Sequence, residues 1–414
     1  MKEPIGVGVI GAGYWGRKLI GEYLAAQQNK GTLRLIKICD SSLPALLECE
    51  KKYSIEYNRF TKKVEDVISS PKVRAVHIAT PNSTHYSLAK MALEAGKDVL
   101  VEKPMTLNSQ EAYHLVDLAA SNELVLHVGH IFRFNSALQM ARKMLKEKVV
   151  GKIFYARIQW TDYCPPFQDR DIIFDLGPHP IDVLNQLLED WPAQVSGFGR
   201  AFRGSQDREE VAYGIAEFHD GVFAHVELSW LHPLKVRQVS IIGSEATLTV
   251  DCVDQKVTVT RQGTVEEIPV IVNNTIESEI DHFIDCVSRR YTSTDSGLIG
   301  AQTVEVLETI RASVWDHPLP ALPIEVRRSD ELIETLKLAN GNGFGGKHFR
   351  NTRPEGYVEI LLRAGFLRKT SADLEPGFEI TESGAQFLKE YQDDFGREDV
   401  RNQRKIREAQ QLKG

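Results

Sequence analysis

Two periodicities alternate along the first 125 or so residues. Four short β-branched runs, IGVGVIG (5–11), LRLIKICD (33–40), VRAVHIAT (73–80) and KDVLVEKP (97–104), are almost continuously apolar. Between such runs the spacing becomes helical, as in SLAKMALEAG (87–96). Strands apolar on both faces, alternating with amphipathic helices over short connections, predict a parallel, doubly wound α/β sheet. From about 150 to 322 the pattern changes. A helix over PIDVLNQLLED is followed by strand-like runs QVSGFGRAFR, EVAYGIAEFH, VFAHVELSW, VRQVSIIG, ATLTVDC and KVTVTR, separated by Gly-containing turns. That order predicts an α+β domain with a mostly antiparallel sheet, closed by helices over 277–290 and 296–314. The segment WDHPLPALPI (315–324) holds three prolines and reads as a linker. The expected domains are therefore 1–128, 129–324 and 325–414.

The first strand leads into Gly11-Ala-Gly13-Tyr14-Trp15-Gly16, which opens a helix. A glycine at the first position permits the tight turn, the second lets backbone approach a pyrophosphate, and the third allows close helix–strand packing. The phosphates then sit at the helix N-terminus. Asp40 ends the next strand, 24 residues after Gly16, with Ser41 beside it. A carboxylate there accepts from ribose hydroxyls and repels a 2′-phosphate, so NAD is the expected cofactor and NADP the less favoured one, although Arg34 and Lys37 lie close by.

Composition narrows the function class. Of 414 residues 42% are hydrophobic and 26% charged, which is an ordinary globular balance. A net charge of −7 argues against a dedicated nucleic-acid or anionic-membrane binder. No apolar run reaches the roughly 18 residues of a membrane helix, and the start of the chain shows no signal-peptide pattern. The five cysteines form no C-x-x-C pair, so no zinc site or disulfide framework is indicated, no metal is expected, and a cytoplasmic location fits. His127 and His130 stand three apart but have no carboxylate or thiol nearby in sequence, so packing is the expected role.

Four further motifs follow in order: Ala79-Thr80-Pro81-Asn82-Ser83-Thr84-His85, Glu102-Lys103-Pro104, Gly129-His130 with Phe134-Asn135, and Asp175-Leu176-Gly177-Pro178-His179. Together with GAGYWG they resemble the glucose–fructose oxidoreductase / inositol dehydrogenase / rhizopine catabolism family (Gfo/Idh/MocA) over residues 5–316. The stretches DIIFDLGPH, SWLHPLKVRQVSIIGSEATL and ESEIDHFIDCV resemble its nucleotide-sugar branch. One departure stands out: many members of that branch have Asp directly after the motif His, whereas here Pro180 follows and Asp182 comes later.

The resemblance implies hydride transfer between a secondary carbinol of a sugar or cyclitol and nicotinamide, with a homo-oligomer, dimer or tetramer, as the assembly. It implies that Lys103 and His179 belong to the site. A group titrating near pH 7 suits proton transfer, which makes His179 the candidate acid/base, with Asp175 orienting it or touching substrate. The Lys103 ammonium would favour a developing alkoxide. Thr80, Pro81, Asn82 and His85 would form a loop against the nicotinamide, with Glu102 nearby. Asn135, Tyr163, Trp230, Lys235 and Arg237 are weaker substrate candidates, the basic pair being suited to a diphosphate. Rival readings are a redox-neutral sugar enzyme that retains NAD, and a non-catalytic NAD-sensing regulator.

Residues 329–391, with F-x-I-T-x-x-G-x-x-F-L over 378–388, resemble a winged-helix module. From Glu325 to Gly414 there are 16 Lys+Arg and 16 Asp+Glu, a net of zero. A DNA reader needs a basic recognition helix, so DNA binding is not expected and a surface for a protein partner or self-association is.

Overall fold

The computed structural model describes residues 3–316 apart from 166, 168–169, 204–207 and 292–295, together with 344–345, 367–369, 377–382 and 384–385. Two compact units divide after Trp315. In the first, the apolar runs form β1 (Ile5–Ile10), β2 (Leu33–Cys39), β3 (Phe60–Thr61), β4 (Ala75–Ile78), β5 (Asp98–Val101) and β6 (Leu126–Val128). All pair in parallel, in the order β3-β2-β1-β4-β5-β6. The intervening helices are α1 (Tyr14–Lys30), α2 (Leu43–Tyr53), α3 (Glu65–Ile68), α4 (His85–Glu94) and α5 (Ser109–Ser121). Every residue of β1, β4 and β5 is buried, as a sheet covered on both faces requires. The chain order steps outward from β1 in both directions, and ligands of such sheets bind outside the carboxyl ends of the strands at that switch.

The second sheet has eight strands in the order β14-β13-β12-β11-β7-β10-β9-β8. They are β7 (Ile153–Tyr163), β8 (Pro192–Arg200), β9 (Val211–Phe218), β10 (Phe223–Ser229), β11 (Leu231–Gly243), β12 (Thr247–Asp251), β13 (Lys256–Arg261) and β14 (Thr264–Ile268). Only β7 and β10 pair in parallel; the rest of the sheet is antiparallel. Pattern reading finds six of these strands but not β7 and β14. β14 is almost wholly exposed and so carries no apolar alternation. Helices α6 (Ser136–Lys146), α7 (Ile172–Leu176) and α8 (Pro178–Leu188) cover one face of the sheet.

The last two helices of this unit return to the first sheet. α9 (Thr275–Arg289) buries Ile280 and Phe283 in one core with Val7, Val9 and Tyr23. Its Arg290 cap residue reaches the buried Asp98 carboxylate at the start of β5. α10 (Gly297–Asp316) sets Gly300 against Val128 and Met105, and further along sets Ile310 against Gly197 of β8. The two sheets therefore share packing helices.

In the second unit β15 (Phe344–Gly345), β16 (Leu367–Lys369) and β17 (Gly377–Ile380) form a small antiparallel sheet in the order β15-β17-β16. The helices of the winged-helix reading, and the charged tail, lie outside the described residues.

Candidate active site

The glycine-rich turn has the geometry its spacing requires. Gly11 has φ +103°, and a Cβ there would stand 2.2 Å from the carbonyl oxygen of Ala79. A Cβ on Gly16 would stand 2.1 Å from the carbonyl oxygen of Gly11. Gly13 differs: a Cβ would meet nothing within 4 Å, because this residue caps α1 and faces open space. No side chain caps the first turn, so its backbone N–H groups remain available to an anion. Asp40 stands beside the turn, with Oδ2 accepting from Ala12 N at 2.7 Å and Oδ1 from Ser42 N at 2.8 Å. Each oxygen keeps a further lone pair for a ribose hydroxyl. Ser41 is exposed next to it. Lys37, a neighbour that would suit a 2′-phosphate, instead donates to Asn58 O at 2.9 Å. Crowded first and third glycines with an open second one are what a dinucleotide pyrophosphate needs, so these residues fit NAD.

Beyond the turn lies a cavity of about 530 Å³ at the carboxyl ends of β4 and β5. Tyr14, Trp15, Thr80, Asn82, His85, Glu102, Lys103, Asn135, Asp175, His179, Lys235 and Arg237 all line it. The loop after β4 is held by its own polar groups: Thr80 Oγ1 and Thr84 Oγ1 lie 2.7 Å apart, and Thr84 Oγ1 donates to Pro81 O. His85 stands between the β4 and β5 loops, with Pro104 O at 2.8 Å and Thr80 O at 2.9 Å from its two ring nitrogens, and as a neutral ring it donates to one of them. Burial lowers its pKa. Asn82 lines the cavity, and its Nδ2 is buried without a hydrogen-bond partner among the described residues. Pro81 is exposed and outside the lining.

Lys103 follows β5 directly, and its Nζ crosses to the second sheet's side of the cavity. It donates to the backbone oxygen of Asp175 at 2.6 Å and stands 3.9 Å from Asp175 Oδ1. Asp175 lies in α7, with Oδ2 accepting from Trp230 Nε1 at 3.1 Å and Oδ1 lying 3.5 Å from Arg170. No hydrogen bond joins it to His179 among the described residues, which corrects the expected orienting role. The carboxylate is engaged by Trp230, Arg170 and Lys103 instead. His179, in the first turn of α8, packs edge-on against Phe132 at 4.9 Å and beside Trp160 at 5.9 Å. Its Nδ1 is buried without a hydrogen-bond partner among the described residues. Burial, then Lys103 and Arg237, hold its pKa well below the ordinary histidine value. It is therefore a neutral imidazole across the physiological range, not a group poised near 7.

Other weak candidates prove to be parts of the fold. Asn135 caps α6, with Oδ1 accepting from Ala137 N and Leu138 N while Nδ2 donates to Cys252 O. Arg237 is buried; it donates to Thr161 O and Val236 O and lies over the Trp160 ring. Trp230 is buried and supports Asp175. Tyr163 is 65% exposed, outside the cavity lining, with Arg203 over its ring. Lys235 alone of the five keeps an exposed charge on the cavity. His127 stacks on His282 at 5.7 Å, as packing predicts, and among the described residues no His/Cys/Asp/Glu group could hold a metal. Asp182, two residues after Pro180, is buried, with Oδ1 2.6 Å from Arg133 Nε and 3.7 Å from His130 Nδ1. Among the described residues no helix is long and apolar enough to cross a membrane. Sequence reading missed Arg170, Phe132 and Cys252 on the cavity wall. Arg170 precedes the α7 cap Asp171, and its charge beside that motif was the available signal.

Comparison with known proteins agrees with this geometry. Residues 5–130 match the oxidoreductase family with an NAD-binding Rossmann fold, and residues 138–249 match the GFO/IDH/MocA C-terminal domain. UDP-N-acetylglucosamine 3-dehydrogenase of Acidithiobacillus ferrooxidans is 29% identical over 273 residues, covering 65% of this chain and 82% of that one. Its solved structure superposes with a TM-score of 0.65 at 25% identity, over 75% of this chain and 99% of that one. Levoglucosan dehydrogenase in complex with NADH and levoglucosan shares the fold, with a TM-score of 0.68 at 20% identity over 75% of this chain and 97% of that one. The chain belongs to the Gfo/Idh/MocA oxidoreductases and carries their NAD-binding Rossmann fold and their second, mostly antiparallel sheet.

Proposed function

We propose that this protein is an NAD-dependent dehydrogenase that oxidises a secondary alcohol of a nucleotide sugar. The observation that carries the reading is the convergence of Lys103, Asp175 and His179 on one cavity whose rim is the glycine-rich turn. When bound, the dinucleotide supplies the hydride acceptor. Lys103, aimed by the Asp175 backbone oxygen, donates to the reacting oxygen and stabilises its developing negative charge. His179, neutral and on the cavity wall, takes the alcohol proton. Asp175 holds the Lys103 ammonium by charge and is itself fixed by Trp230 and Arg170.

The nucleotide half of the substrate is supported by the cations Lys235 and Arg170 on the cavity wall and by the named substrate of the Acidithiobacillus relative. The test is incubation with NAD and a panel of free sugars and UDP-sugars, following NADH absorbance. NADH is expected to accumulate with a UDP-hexose and not with its free hexose. Sugar turnover without net NADH would replace this reading with redox-neutral chemistry on a retained cofactor.

A further inference from the structure

One buried polar chain behind the site has no part in the roles given above. Tyr23 and His77 are both fully buried, on α1 and in the middle of β4, in positions that a doubly covered sheet normally gives to apolar side chains. Tyr23 Oη and His77 Nδ1 lie 3.0 Å apart. His77 Nε2 faces Glu102 Oε1 at 3.4 Å, and the same carboxylate oxygen accepts from Trp15 Nε1 at 2.6 Å. Glu102 is 6% exposed and is closed on its other side by Gly129, where a Cβ would stand 2.7 Å from Oε2. The chain thus runs from the core, under the sheet ends, to the second aromatic of the glycine-rich turn.

Burial and the nearby Glu279 and Glu102 raise the Tyr23 pKa well above its ordinary value, so its hydroxyl stays protonated beside His77 Nδ1. The other ring nitrogen, Nε2, lies beside Glu102 but is not aligned with it as a hydrogen bond. We propose that Tyr23 and His77 are positioning residues: they hold the Glu102 carboxylate in place so that it fixes Trp15 at the dinucleotide turn. The proposal rests on NAD occupying that turn. Burial alone would push Glu102 upward, yet His77, then Trp15 and Lys103, leave it below the ordinary glutamate value. The charged and titratable groups around the carboxylate are His77 from β4, Lys103 from the end of β5 and His85 from α4, with Tyr23 and Glu279 one step behind.

The sign of the effect is fixed by that balance. Without His77 only Trp15 and Lys103 oppose the desolvation of Glu102, so its pKa rises and the carboxylate takes a proton more readily as pH falls. The experiment uses the full chain, 15N-labelled at tryptophan, with the Trp15 indole resonance assigned by Trp15→Phe. In the parent protein without dinucleotide this resonance should stay fixed between about pH 5.5 and 8.5, and in His77→Leu it should titrate within that range. NADH affinity, read by energy transfer from tryptophan, should fall about tenfold in His77→Leu at pH 6 and much less at pH 8.5. His77→Gln should restore both, because its amide can donate to Glu102 and accept from Tyr23. Tyr23→Phe, a near-isosteric change, should shift the resonance in the same direction by less, and it decides the matter if His77→Leu does not fold. A folded His77→Leu or Tyr23→Phe protein whose Trp15 resonance is as pH-independent as the parent's overturns the proposal. The resonance is read without cofactor or sugar, so failure of the sugar assay leaves this test standing, and failure here leaves the dehydrogenase reading standing.

Discussion

The two halves of the site hold their polar atoms in opposite states. At the glycine-rich turn, donors and acceptors are arrayed and left available: the α1 N-terminus has no side-chain cap, Asp40 keeps free lone pairs, and Gly13 faces open space. On the second sheet most polar side chains near the cavity already serve the fold. Asn135 caps α6, Arg237 ties β11 to β7, and Trp230 anchors Asp175. The same residue types therefore mean different things in the two regions. A buried polar group must be satisfied, and once the fold has satisfied it, little is left for a ligand. Lys103, His179 and Lys235 keep reach into the cavity.

The comparison breaks most sharply at the reacting groups. Lys103→Ala and His179→Ala should each lower turnover by about 10²–10⁴-fold while leaving NADH binding within a few-fold of the parent. Single-turnover NADH formation beside NADH titration reads both, and loss of NADH affinity in proportion to rate would move these residues to the cofactor half. The acid limb of the rate should lie below the ordinary histidine range, because His179 has a lowered pKa. Its neutral form persists as pH falls until that lowered value is passed, and only then is the base lost. An acid limb at or above pH 6.5 in the kcat profile contradicts this assignment.

At the turn the effect should be smaller and confined to cofactor. Gly13→Ala, which meets nothing within 4 Å, should leave thermal stability unchanged and weaken NADH by about tenfold. Gly16→Ala, with its Cβ 2.1 Å from Gly11 O, should instead lower the melting temperature. NADH should bind at least about tenfold more tightly than NADPH, because Asp40 opposes the 2′-phosphate; calorimetry decides. The smallest effects separate fold from substrate on the second sheet. Asn135→Ala should cost about 0.5–2 kcal/mol by denaturant titration, as a lost helix cap, with KM for the sugar nearly unchanged. Lys235→Ala should do the reverse: it should raise KM for a UDP-sugar several-fold, less so at high salt, with stability unaltered.

How much could be read from the sequence follows the same division. The parallel sheet, its glycine turn, Asp40, and the motif residues Lys103 and His179 lie in short continuous segments whose periodicity and spacing are local properties. β7 was not legible, because it pairs with β10 and β11 across more than sixty residues, and only those neighbours make it a strand. The partner of Asp175 was not legible either. Four residues of separation place it near His179, but side chains from other segments engage it: Trp230, Arg170 and Lys103, the last 72 residues away in sequence.

By itself the sequence determined the elements of the dinucleotide half, its cofactor chemistry, and which few residues carry charge to the strand ends, because hydrophobic period and turn glycines act within a few residues. Tertiary structure alone decided which polar side chains remain free. It used Asn135, Arg237 and Trp230 for the fold, left His179 Nδ1 without a hydrogen-bond partner among the described residues, and buried Tyr23 and His77 in line with Glu102. The reason is that hydrogen-bond satisfaction and desolvation depend on what the fold brings within about 3 Å, and no local pattern in the chain encodes that.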